Sequence, residues 1–411
     1  MDLDALTAEL DELLVDADEA LTRNYPGERA GRQPVHTLYL PADRFHARSV
    51  HELGRGAERV VLEHAEEFLA VLEGDDDLMT RVLTKLDSEP VEDLRIDFED
   101  GYGDRGDDEE DQAAEAAGEG LGAALEADGA APFTGIRIRS FEPATRRRGL
   151  RTLVCFLEAL GRIPDGFVVT LPKVTATEQV EAMTHACDHV EKSLRGRLLF
   201  EVQVETPQSV LGPDGRVLLA TMVRAAEGRL TAFHYGTYDY SAACGIAAGQ
   251  QSLDHPAADH AKAVMQVAAA GTGVRLSDGS TNRLPLGDQL VPAWRDHLRL
   301  VRRSLERGFY QGWDLHAAQL PTRYAATYSF FRDGFGPAAE RLRTYVGRED
   351  SSILDEPATA RALSDFVVRG LDCGALEEAE VVDATGLETS TLLMMAKRPG
   401  AHGAQRPVKA R

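Results

Sequence analysis

The feature that most constrains this chain is an alternation. Eight short apolar runs, most bounded by Pro, Gly or polar residues, are separated by longer stretches with helical periodicity. The runs lie at 35–41 (V-H-T-L-Y-L-P), 93–99 (D-L-R-I-D-F-E), 134–139 (T-G-I-R-I-R), 166–172 (G-F-V-V-T-L-P), 198–205, 230–237, weakly at 273–277, and at 309–316. Helical patterns fill 50–73, 109–127, 145–161, 177–195, 213–227, 255–270 and 288–307. Eight strands separated by helices predict an α/β fold, a (β/α)8 TIM barrel with its helices outside. The 411 residues suffice for one such barrel with appendages. Residues 3–22 read as an amphipathic helix that N-Y-P-G breaks. The expected organisation is an N-terminal helix (1–30), the barrel (31–330), a helical C-terminal cap (331–397) and a disordered tail (398–411). The stretch 104–131, acidic and rich in Ala and Gly, reads as a solvated helix.

Charge excludes some function classes. A formal net charge of −23 argues against nucleic acid or an anionic membrane as a partner. Only 6 of the 45 basic residues are Lys, a bias that fits a high-GC or salt-adapted source. The four cysteines (Cys155, Cys187, Cys244 and Cys373) form no C-x-x-C pair, which fits a reducing cytoplasm and argues against a zinc site. The acidic N-terminal stretch does not read as a signal peptide, and no apolar run reaches the length of a membrane span. Gly101, Gly103 and Gly106 spell G-x-G-x-x-G after a strand, but D-D-E-E-D follows. A pyrophosphate at that helix N-terminus would face five carboxylates, so no dinucleotide site is expected.

The strand ends carry the chemistry. In L-L-F-E-V-Q-V-E-T-P (198–207), Phe200, Val202 and Val204 share one face and Glu201, Gln203 and Glu205 the other. Glu205 and Asp239 stand 34 residues apart, each at the end of an apolar run. Barrel enzymes place their chemistry at strand C-termini. Two carboxylates on neighbouring strand ends suit a hard divalent cation, Mg²⁺ or Mn²⁺; pairing with nearby Arg residues is the alternative. Arg95, Asp97 and Glu99 alternate on one face of their strand. Asp97 reads as part of a structural ion-pair layer, and Glu99 and Asp100 as groups that contact the metal ion through water. Arg137 and Arg139 share a face of T-G-I-R-I-R, suited to gripping a substrate carboxylate or to neutralising neighbouring acids. Lys173 ends V-T-L-P-K-V. A Schiff base is conceivable there, but beside a metal site an electrostatic or orienting role toward substrate fits better. His185, His189, His255 and His260 lack metal-ligand spacing and read as ordinary surface or core residues.

These stretches, in this order, resemble the citrate lyase beta-subunit-like branch of the HpcH/HpaI aldolase superfamily, related to malyl-CoA lyases and more distantly to malate synthases. V-H-T-L-Y-L-P-A-D-R is similar to its first strand and I-D-F-E-D-G to its acidic second strand. I-R-I-R, L-P-K-V, V-E-T and Y-G-T-Y-D-Y-S follow in turn. G-F-Y-Q-G-W-D-L-H-A-A-Q-L (308–320) is similar to the last-strand motif, and S-I-L-D-E-P (352–357) to the segment that opens the C-terminal cap. The resemblance spans about residues 35–365. Trp313 and Ala317 stand where the family has Lys and Pro, and the seventh strand is atypical. The resemblance implies metal ligands at Glu205 and Asp239, a carboxylate clamp at Arg137, and a catalytic acid at Asp355, often supplied in such proteins by a neighbouring subunit. A homo-oligomer follows from that last expectation.

The residues and the resemblance converge on cleavage or formation of a C–C bond beside a carbonyl. The metal ion would chelate a 2-oxo or 2-hydroxy acid and steady the developing negative charge, Arg137 would hold a carboxylate, and Asp355 would move a proton. The expected partner is a small carboxylate, as such or as a CoA thioester. A Claisen-type synthase using the same groups is one alternative, and a barrel that binds a metabolite without catalysis is another.

Overall fold

The computed structural model describes residues 2–29, 31–347 and 356–396. Eight strands run at β1 (His36–Pro41), β2 (Asp93–Asp97), β3 (Phe133–Arg137), β4 (Val168–Leu171), β5 (Leu199–Val204), β6 (Leu230–Tyr235), β7 (Arg275–Ser277) and β8 (Gly312–Asp314). Each of the eight runs seen in the sequence contributes one strand. Every pairing is parallel, in the order β7-β6-β5-β4-β3-β2-β1-β8. Two backbone hydrogen bonds close the ring, Asp278 N to Gln311 O (2.8 Å) and Trp313 N to Gly279 O (3.2 Å). The protein is a TIM barrel.

Alternation along each strand sorts the side chains. Ile96, Phe98, Ile136, Ile138, Phe200, Val202, Val204 and Phe233 join the helices' Leu153, Phe156, Leu157 and Met183 in one apolar layer outside the strands. The helix Asp107–Glu126 packs on Arg146–Leu160 there, and Gly118 lies so close that an added Cβ would meet Phe156 O at 2.4 Å. The other strand face is polar and forms the barrel interior. A barrel of this class ordinarily fills its interior with branched apolar residues; here the filling is ionic.

Around the barrel, the helix Leu320–Gly347 begins shortly after the last strand and packs on the C-terminal helix Pro357–Cys373. Its first half packs Leu320, Tyr324 and Phe331 on the barrel side, and its second half packs Ala338 and Leu342 with Val367, Val368 and Leu392. The helix Leu3–Asn24 has no buried residue. The helix Asp76–Ser88, which the sequence pattern did not single out, covers β1 and β2 from outside through Val82 and Leu86. Among the described residues no helix is long and apolar enough to cross a membrane. The tail 398–411 lies outside the described residues.

Candidate active site

The interior is built in two polar tiers. In the lower tier Arg95 of β2 donates from Nη1 and Nη2 to Asp93 (3.0 and 2.8 Å) and from Nε and Nη2 to Glu201 of β5 (both 3.0 Å). Thr170 of β4 donates to Glu201 Oε1 at 2.5 Å, and His234 Nε2 of β6 stands 3.1 Å from Oε2. His234 Nδ1 accepts from Trp313 Nε1 at 3.0 Å, so its neutral tautomer carries the proton on Nε2, facing Glu201. Burial alone would raise the Glu201 carboxyl, but Arg95, His234 and Thr170 together hold it well below the usual carboxylate range. Only glycine fits at 135 in β3, because an added Cβ would lie 1.9 Å from Val168 O and 2.5 Å from Arg95 Nη1.

The upper tier opens at the strand C-termini. Arg137, the last residue of β3, grips Asp97 with a two-pronged contact, Nε to Oδ1 at 2.6 Å and Nη2 to Oδ2 at 2.7 Å. Its Nη1 stands 3.3 Å from Glu99 Oε2, and its guanidinium lies 4.8 Å from the centre of the Tyr39 ring. Tyr39 in turn packs on Trp313 at 4.9 Å between ring centres. Glu205 follows β5 and is buried; Asp239 sits in the first turn of the short helix Thr237–Ala243 that follows β6. Gly236 makes this approach possible: a Cβ there would come within 2.3 Å of Glu205 Cβ and 2.7 Å of its Oε2. A cavity of about 360 Å³ opens over Arg137, Glu205, Asp239, Tyr39 and Trp313, with Asp100 and Ser280 at its sides.

Lys173, just past β4, completes the rim. Its ammonium pairs with Glu99 and reaches Asp100 Oδ2 at 3.2 Å, and its backbone N–H donates to Glu205 Oε1 at 2.7 Å. Burial pushes the Glu205 carboxyl up to about 8, and the neighbouring Glu99 and Asp239 charges add to that, against the pull of Lys173 and Arg137. Burial also disfavours the charged form of Lys173, but Glu99, with Glu205 and Asp100 behind it, outweighs this and holds the ammonium charged.

Of the residues singled out by sequence, Glu99, Asp100, Arg137, Lys173, Glu205 and Asp239 meet at this mouth. Arg139 does not join them. It lies two residues past the end of β3, and its guanidinium turns to Glu110 Oε2 (2.9 Å) and Gly103 O (2.7 Å), clamping the acidic helix 107–126. Asp355 lies outside the described residues. Tyr39 went unread, although V-H-T-L-Y-L-P has the same alternation that marked Glu205. Trp313 was noticed only as a departure from a motif; its tie to His234 and Tyr39 links strands distant in sequence, and no local pattern shows it.

The sequence matches the family model described as "Domain of unknown function (DUF6986)" over residues 14–399. The chain belongs to the DUF6986 family. No curated protein matches it. Among solved structures, this DUF6986 protein is similar to a citrate lyase from Burkholderia xenovorans LB400, with a TM-score of 0.59 and 17% identity over 87% of this chain and 97% of that one. It is also similar to Haloferax volcanii malate synthase. The lead(II) complex of that enzyme gives a TM-score of 0.50 and 15% identity over 90% of this chain and 92% of that one. Its pyruvate/acetyl-CoA ternary complex gives 0.50 and 14% over 90% and 100%. At such identities the likeness is one of fold.

Proposed function

We propose that this protein is an enzyme that cleaves a carbon–carbon bond beside a carbonyl in a 2-oxo or 2-hydroxy acid, or in the corresponding acyl-CoA, at the mouth of its barrel. The observation that carries the reading is the pairing of two strand-end carboxylates, Glu205 and Asp239, over one cavity that also holds Arg137.

A divalent cation fits these residues. Glu205 is a buried carboxylate beside Glu99 and Asp239, pushed up to about 8 even with Lys173 and Arg137 nearby, and a dication would offset that excess of negative charge. The donors are hard oxygens, suited to Mg²⁺ or Mn²⁺. Among the described residues no three His, Cys, Asp or Glu side chains form a ready cage. Two protein carboxylates, with water and substrate completing the shell, is the arrangement Mg²⁺ commonly takes. When bound, the ion would polarise the substrate carbonyl and steady negative charge on its oxygen. The similar malate synthase has been seen with lead(II), and with pyruvate and acetyl-CoA. That a metal ion, and separately a 2-oxo acid, were seen in that enzyme supports the reading.

The chain's own residues then divide the work. Arg137 is held in plane by Asp97 and by the Tyr39 ring, and its Nη1 edge, now beside Glu99, is the part that would meet a substrate carboxylate. Trp313 and Tyr39 wall the cavity with aromatic surface and limit the room beside Arg137. Lys173 contributes positive charge at the rim. Asp355 is the proposed proton carrier; its D-E-P motif alone supports that role. A screen for release of pyruvate, glyoxylate or oxaloacetate from hydroxyacids and hydroxyacyl-CoAs, with and without Mg²⁺, tests the function. Mg²⁺-dependent release from at least one of these substrates is expected; release from none overturns the lyase reading.

A further inference from the structure

The acidic rim of the mouth already contains a cation, and it belongs to the chain. Four carboxylates converge on Lys173. Its ammonium pairs with Glu99, lies 3.3 and 3.2 Å from Asp100 Oδ1 and Oδ2, and stands 3.9 Å from Asp239 Oδ2. Its backbone N–H holds the fourth, Glu205, at 2.7 Å. The backbone is bent to achieve this. Lys173 has φ +52°, in the left-handed region. The other non-glycine residues with positive φ among those described, Glu73, Asp128 and Glu227, each follow a helix end, where that conformation is a common terminator. Lys173 follows a strand, and its unusual backbone is what aims both its N–H and its side chain at the acidic groups.

We propose that Lys173 is a tethered counter-cation that a divalent metal ion must displace: it neutralises the acidic rim when no metal is bound, and it sets how tightly the metal ion is held. This rests on the reading of Glu205 and Asp239 as metal ligands. An ammonium 3.9 Å from one proposed ligand, whose own N–H is bonded to the other, repels an incoming dication and competes for the same oxygens. Lysine suits the role. Its charge is a point on a flexible stem, and this side chain is about one quarter exposed, so the ammonium can swing into the cavity without unpacking the barrel.

The test is calorimetric titration of Mn²⁺ into the metal-free full-length protein at pH 8, with Lys173→Met and Lys173→Arg beside it, and melting of each in EDTA. The expected result is that Lys173→Met binds Mn²⁺ at least about tenfold tighter than wild type, while Lys173→Arg stays within about threefold. In EDTA, Lys173→Met melts below wild type, and Mn²⁺ closes the gap. If Lys173→Met does not fold without metal, Lys173→Gln is measured in its place with the same expectation. Equal or weaker Mn²⁺ binding by a folded, charge-removed variant, with wild type binding normally, overturns the displacement while leaving the metal site standing. No binding by any of the proteins overturns the metal site itself, and the displacement with it.

Discussion

Replacing Arg95 by Met tests whether the ionic lower tier is what holds the mouth in place. Arg95 is 1% exposed and makes four charge-assisted hydrogen bonds of 2.8–3.0 Å to two carboxylates that are themselves buried. Met fills similar volume but leaves Asp93 and Glu201 with no guanidinium. Removing one partner of a buried pair typically costs about 3–5 kcal/mol, because the remaining charge is stranded. Thr170, Thr37 and His234 still contact the stranded acids, so the loss should fall within that range rather than beyond it. The pH dependence gives a second signature. In wild type the Glu201 carboxyl is held below its ordinary value, so its stabilisation is present above about pH 4.5 and fades as pH falls further. In Arg95→Met burial dominates and the folded-state value rises. Stability is then best below the unfolded value and declines as pH climbs through the folded one, by up to about 1.4 kcal/mol per pH unit for each stranded acid. Urea denaturation at pH 5, 6, 7 and 8 reads both effects. A loss under about 1 kcal/mol at pH 7, or the same slope as wild type between pH 5 and 7, would refute the reasoning.

Arg137→Lys keeps the charge but loses the two-pronged grip on Asp97, so kcat/KM for the carboxylate substrate should fall about 10²–10³-fold in a protein that remains folded; unchanged kinetics would remove Arg137 from substrate capture. His36 is fully buried and burial pushes its imidazole down to about 4, so its neutral form stabilises the fold above pH 6.5, and this is lost as pH falls toward 4, at a cost of about 3 kcal/mol across that window. His36→Gln, which can still accept from Glu92 N, should flatten the wild-type decline in urea midpoint between pH 6.5 and 4.5, and an unaltered decline would place the acid sensitivity elsewhere. Glu205→Gln and Asp239→Asn should each abolish Mg²⁺-dependent activity with the circular-dichroism spectrum unchanged; activity that survives EDTA treatment of wild type would show that no metal ion is used.

The barrel was legible because alternation writes both faces of each strand into the sequence. The ladder Phe200, Val202, Val204 against Glu201, Gln203, Glu205 placed one set in the helix layer and the other inside the barrel, as the structure has them. β7 was faint because it is only three residues long and is completed by side-chain and loop contacts, such as Lys262 to Asp278 at 2.9 Å. The rim acids could be read because each lies just past a strand, Asp239 in the first turn of the helix after β6, and position after a strand is a local property. What could not be read was pairing. Nothing in I-R-I-R tells that Arg137 turns inward to Asp97 while Arg139 turns outward to Glu110, because the choice depends on where β3 ends and on an acidic helix about 30 residues away. Lys173 was likewise visible as a strand-end lysine, but its place among four carboxylates drawn from three other strand ends is a product of closure alone.

The most direct measurement is anomalous diffraction from crystals of the metal-free protein soaked in Mn²⁺ and pyruvate. The account expects an anomalous peak about 2 Å from both the Glu205 and the Asp239 carboxylates, with pyruvate on the remaining positions and its carboxylate toward Arg137. A strong peak elsewhere, or none at the barrel mouth in crystals that hold pyruvate there, would contradict it.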